Sequence, residues 1–115
     1  MRKTVANALM ACFTLGLAGC ATTDDALLKT VPIGSGTSTL ATYDFVRCVK
    51  DRWTPLGGPV REYALGTDSQ AVSVKGAGGA SMVLVVAQPA ARGTGYTIYG
   101  EIAASRYVTA AHVCD

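Results

Sequence analysis

The chain is poor in the side chains that most chemistry needs. Its 115 residues include one histidine, His112, and one tryptophan, and aromatic residues make up only 7%. A metal centre would have to be built on that single imidazole, with no paired Cys-x-x-Cys to support it. Cys48, His112 and Cys114 can be drawn as ligands, but a clear fourth is missing. A serine triad would need the same histidine beside an activated serine, and the Gly-x-Ser-x-Gly elbow is absent. Glu62, Asp68 and Glu101 could meet as catalytic carboxylates, yet surface solvation accounts for them more simply. No cofactor is called for, no metal is expected, and an enzyme is the minority reading.

Net charge is scarce too. Ten Lys+Arg stand against eight Asp+Glu, but Arg2 and Lys3 belong to an N-terminal export signal, and without them the count is eight against eight. The basic balance leaves with the signal, and so does the electrostatic footprint of a nucleic-acid binder. Arg47, Lys50 and Arg52 are interleaved with Asp44 and Asp51, the pattern of a solvated helix face. The glycine-rich stretch Gly76–Ser81 is followed by no Lys-Ser/Thr pair and lies between two expected strands, which makes it a hairpin turn and not a phosphate cradle. The apolar stretch from Val5 to Leu17 is too short to span a bilayer.

What is present begins with that stretch. Arg2 and Lys3, an apolar segment and then small residues form the order of a secretory signal. The segment ends in Leu17-Ala18-Gly19-Cys20, which resembles the lipobox of bacterial lipoproteins. The resemblance implies cleavage before Cys20, residues 1–19 being the signal peptide, and acylation of Cys20, palmitate included. Two or three acyl chains at about 0.8 kcal/mol per methylene make a lasting anchor. Ala21 follows the cysteine in place of the aspartate that commonly retains lipoproteins at the inner membrane. The implied address is the outer membrane, facing the periplasm.

The other cysteines sort by compartment. Cys12 leaves with the signal and Cys20 takes lipid, so Cys48 and Cys114 remain as a pair in an oxidising space. A disulfide is the expected outcome, and the long loop it closes implies a stabilisation of roughly 4 kcal/mol. A domain this small benefits from such a staple.

Residues 20–37 read as the lipidated cysteine and a flexible tether, rich in Thr, Asp, Gly and Ser. Leu27, Leu28, Val31 and Ile33 give part of it the means to bind the domain. Residues 38–115 read as one small α+β domain. Ala41, Phe45, Val46, Val49 and Trp53 recur at helical spacing and predict a helix over Ser38–Trp53, capped by Ser38 or Thr39. Pro55 and Gly57-Gly58-Pro59 end it. Four strands are expected at Val60–Leu65, Ala71–Lys75, Met82–Gln88 and Gly95–Ile102, with links short enough for hairpins only. Ala103–Val113 is expected as a second helix, with a fifth strand as the alternative. The expected fold is a four-stranded antiparallel β-meander with an N-terminal and a C-terminal helix packed on one face.

On that arrangement Val72, Val74 and Ile98 point inward, and Tyr99 points to the other face with Lys75 and Glu101. Tyr63 and Tyr99 then make a possible docking patch, unless the tether covers it. The chain as a whole resembles small uncharacterised proteobacterial outer-membrane lipoproteins. That resemblance implies a surface or periplasmic antigen and supplies no mechanism. The expected function is a non-enzymatic interaction module, held to the membrane through Cys20 and binding an envelope protein. The alternative is an inhibitor of a hydrolase such as lysozyme, with Arg92 in the Pro89–Gly95 loop entering a cleft. The Ser-Gly-x-x-Tyr signature of lysozyme-inhibiting lipoproteins is missing.

Overall fold

The computed structural model describes residues 23–101 and 104–115. The expected signal peptide and lipobox, with Cys20, lie outside the described residues. The chain is a mixed α+β unit. Its elements in order are α1 (Asp24–Leu28), β1 (Gly34–Ser38), α2 (Thr42–Trp53), β2 (Val60–Leu65), β3 (Ser69–Lys75), β4 (Ser81–Ala90), β5 (Gly93–Gly100) and α3 (Ser105–His112), with short 3-10 turns at Thr54–Leu56 and Ala77–Gly79.

The sheet has five strands, not four, in the order β1-β5-β4-β3-β2, and every neighbouring pair is antiparallel. The four expected strands form the meander β2 to β5. The fifth, β1, comes from the end of the segment expected as tether, together with Ser38 from the expected helix start, and pairs along β5 from Gly34 opposite Ile98 to Ser38 opposite Thr94. Its sequence, Gly-Ser-Gly-Thr-Ser, has little β preference of its own. Its glycines serve a packing purpose instead. A Cβ on Gly36 would fall 2.6 Å from the Tyr96 hydroxyl oxygen, and one on Gly34 would fall 2.9 Å from Val108 Cγ1.

The register sorts side chains by face. Val72, Val85 and Ile98 are aligned across three strands, and with Val74, Val83, Ala87 and Tyr96 they form one buried layer beneath α2 and α3. Helix α2 contributes Phe45, Val46, Val49 and Trp53, all fully buried, at the spacing of one helical stripe. It starts at Thr42, because Ser38 is drawn into β1, where its hydroxyl donates to the Cys114 carbonyl at 2.6 Å. Tyr107 and Ala111 of α3 complete the layer, which places the segment expected as helix or strand as a helix. Trp53 donates its indole N–H to the Tyr107 carbonyl at 2.8 Å, and the two rings meet edge to face. Cys48 and Cys114 form a disulfide, which staples α2 to the end of α3.

Two glycines at hairpin turns separate backbone strain from crowding. Gly66 and Gly93 both have positive φ, 77° and 89°. Nothing lies within 4 Å of a Cβ at Gly66, whereas one at Gly93 would fall 2.1 Å from the Ser38 carbonyl oxygen. Gly66→Ala should cost only the left-handed strain of about 1–2 kcal/mol. Gly93→Ala should cost clearly more, because the end of β1 must also move. Urea unfolding midpoints of the two variants test this ordering, and equal losses would contradict it.

Candidate functional site

The second face of the sheet carries a smaller cluster. Ala71 and Leu84 are buried there, with Tyr63, Leu65, Val86 and Tyr99 partly buried around them. Central strand β4 is apolar on both faces, so this face also needs a cover. Residues expected as tether supply it. Helix α1 lies on the sheet with Leu27 packed into the cluster and Leu28 beside it. Thr23 caps the helix by accepting from the Ala26 N–H at 3.1 Å, which matches the preference for a hydroxyl at that position.

Polar contacts fasten α1 more specifically. The Asp24 carboxylate points into a ring of donors from three strands. Its Oδ1 accepts from the Ser73 hydroxyl at 2.7 Å, from the Ser81 hydroxyl, and from Lys75 Nζ at 3.4 Å; its Oδ2 accepts from the Tyr63 hydroxyl. Lys75 also donates to Ser81 Oγ at 2.7 Å. Ser73 and Ser81 are buried, and Asp24 and Lys75 form a partly buried ion pair. Burial alone would raise the Asp24 pKa. The hydroxyls of Ser81, Tyr63 and Ser73 and the Lys75 charge outweigh it, and the carboxyl is held below its ordinary value. Burial, with the hydrogen bond to Asp24, pushes the Tyr63 phenol well above its ordinary value.

The contact between Lys75 and Ser81 has the spacing of a serine–lysine nucleophile pair. Here the Ser81 hydroxyl donates to Asp24, which also lies against the ammonium, and Ser81 is 1% exposed. The arrangement is a carboxylate receptor: three hydroxyls and one ammonium converge on one acid.

A second polar group ties down the C-terminal residues. The Tyr96 hydroxyl donates to the Asp115 carboxylate and lies 2.6 Å from His112 Nδ1. That geometry fits a proton on Nδ1, donated to the phenol oxygen. Burial and the nearby Asp115 raise the Tyr96 pKa well above its usual value. Its ring stacks on Phe45. His112, the lone imidazole, thus lies next to the disulfide-linked end of α3 and fastens it to the sheet.

The residues expected to dock a partner are separated. Tyr63 lies on β2 and Tyr99 on β5, with two strands between them. Both face α1's side of the sheet, and Tyr63 is already bonded to Asp24. Arg92 is exposed at the two-residue turn between β4 and β5, away from both. Sequence reasoning placed Lys75 on the correct face but did not see Asp24, Ser73 or Ser81 as its partners. The available signal was Thr23-Asp24 ahead of Leu27-Leu28, a short capped helix with one apolar side.

Among the described residues no group of three or more His, Cys, Asp and Glu side chains is placed to hold a metal ion. No described helix is long and apolar enough to cross a membrane. A surface hollow of about 450 Å³ lies between the Leu56–Pro59 turn, Gly76 and Arg106. No protein-family model, curated protein or solved structure matches the chain.

Asp24→Asn keeps the shape of the clasp and removes its charge. Hydrogen bonds to a charged acceptor are worth about 1.5–3 kcal/mol, so the variant should lose an amount of that order and exchange the Leu27 and Lys29 amides faster. Because the carboxyl titrates lower in the folded chain than its ordinary 3.8, its contribution is complete above that pH. The contribution disappears as the pH falls through the folded value. Urea midpoints between pH 2 and 7 should show an acid-side decline that the Asn variant lacks. Identical pH profiles would exclude the clasp as a stabilising element.

Proposed function

We propose that the chain is a lipid-anchored lipoprotein of the bacterial outer membrane, facing the periplasm, and acts there as a non-enzymatic interaction module for an envelope protein. The observation that carries this reading is the use made of the residues after Cys20. Thr23 caps α1, and Asp24 and Leu27 bind the sheet. Only Ala21 and Thr22 separate the lipid-acceptor position from Thr23. Three peptide steps span at most about 10 Å. An acylated Cys20 therefore holds the domain against the membrane surface, as suits a module whose partner is embedded in or lies along that membrane.

On this reading the partner meets the clasped face, where Tyr63 and Tyr99 are partly exposed, or the Arg92 turn. Growth with an alkyne-bearing palmitate tests the anchor. The wild-type chain should carry the label and mature; Cys20→Ala should carry none and accumulate as precursor. Normal maturation of that variant would defeat the proposal.

The inhibitor alternative has one observation in its favour, the exposed Arg92 at a tight hairpin tip. Lysozyme assayed with excess mature domain decides it: full lytic activity removes this alternative, and inhibition lost on Arg92→Ala would establish it.

A further inference from the structure

The clasp has the anatomy of a receptor with its ligand supplied by the same chain. Receptor and ligand sit on separable parts. Tyr63, Ser73, Lys75 and Ser81 belong to β2, β3 and β4 of the meander, while Asp24 and Leu27 belong to a five-residue helix outside it. A helix of that length has no stability of its own in water, so α1 stays formed only while docked. The link from α1 to β1 is Lys29–Ile33. Ile33 is fixed by its N–H to the Ile98 carbonyl at 2.8 Å, and Val31 is 84% exposed. Lys29 and Thr30 bond back to the α1 carbonyls, so pivoting over Val31–Pro32 releases α1 without breaking a strand pairing.

We infer that this carboxylate receptor also accepts the Thr23–Leu28 segment of a second copy of the chain, so that two neighbouring copies exchange their clasps. The occupant follows from the page: this segment already fits the site, with its acid on the four donors and Leu27 on Ala71 and Leu84. In the exchanged pair each copy supplies Asp24 to its neighbour, and every contact of the closed form is remade. The balance between the two forms is then set by local concentration and hinge strain, not by any difference in contacts. Copies anchored in one leaflet are confined to a thin layer, which favours exchange. This last step rests on the lipid-anchored reading; the receptor itself does not.

Two arms test the inference. In the first, equal amounts of light and ¹⁵N-labelled lipidated chain are placed in phosphatidylethanolamine–phosphatidylglycerol vesicles at low and high surface density. A carbodiimide then condenses the Asp24 carboxyl with Lys75 Nζ to an amide, the lost water leaving as the urea. Exchange should yield linked peptides that pair light with heavy, rising with density towards half of the Asp24–Lys75 product. Products that are all of one isotope at both densities would overturn exchange; if no such product forms, the second arm decides alone.

The second arm needs no anchor, so its failure is distinct from a failure of lipidation. The full chain carrying Asp24→Ala is titrated with a peptide of residues 23–30. It should bind the wild-type peptide, and the peptide with Asp24→Asn should bind at least about tenfold more weakly, as expected for loss of a charged acceptor. Equal binding of both peptides, or no binding by a variant shown to be folded by its Cys48–Cys114 disulfide and cooperative melting, would overturn the inference.

Discussion

Strand β4 carries apolar side chains on both faces, and it lies at the centre of the sheet. Val83, Val85 and Ala87 face the long helices; Leu84 and Val86 face the other way. Leaving a leucine exposed costs on the order of 2 kcal/mol, and a domain this small has few residues to spare. Helices α2 and α3 are both committed to the first face. The cover for the second must come from outside the meander, and the N-terminal segment is the part of the chain that supplies it. The apolar run in β4 therefore determines what happens more than fifty positions earlier, at Asp24–Leu28.

The same segment closes the sheet at its other end. Once α1 is docked, the chain passes along β5 as β1, and Ser38 arrives beside the last turn of the molecule. There the Ser38 hydroxyl bonds the Cys114 carbonyl, Cys114 is linked to Cys48, and Tyr96 bonds Asp115 beneath the glycines of β1. Distant parts of the chain are thereby joined at one corner. Gly34 and Gly36 matter because larger residues would push β1 off Val108 and Tyr96. The clasp and the staple thus hold opposite faces of one sheet.

The elements that were legible in the sequence are those whose signal is local. The stripe Phe45-Val46-Val49-Trp53 is complete within one helix, and the alternation around Val72-Val74 and Tyr96-Ile98 is complete within single strands. The Cys48–Cys114 bridge followed from parity and from the expected oxidising compartment. Helix α1 and strand β1 were read as tether because nothing local makes them ordered. Gly34–Ser38 is a strand by virtue of β5, and Asp24–Leu28 is a helix by virtue of the sheet. The candidate site was missed for the same reason. Ser73, Lys75 and Ser81 look like ordinary solvated residues until an acid from another part of the chain is placed among them.

A charged clasp is an expensive way to cover a sheet. Replacing a whole partly buried ion pair by well-packed apolar groups is often neutral or stabilising, but removing the acid alone strands its partners, and here those are Lys75 and three hydroxyls. What an acid adds is selectivity. Asp24 is stabilised only where three hydroxyls and Lys75 converge, which pins α1 to one position on the sheet. Leu27 is the one buried residue of the helix, and its departure would uncover Ala71 and Leu84. An acid among matched donors fixes the position of a short segment more narrowly than an apolar patch does. That selectivity sets the clasp, Tyr63 included, apart from the apolar contacts of the same face.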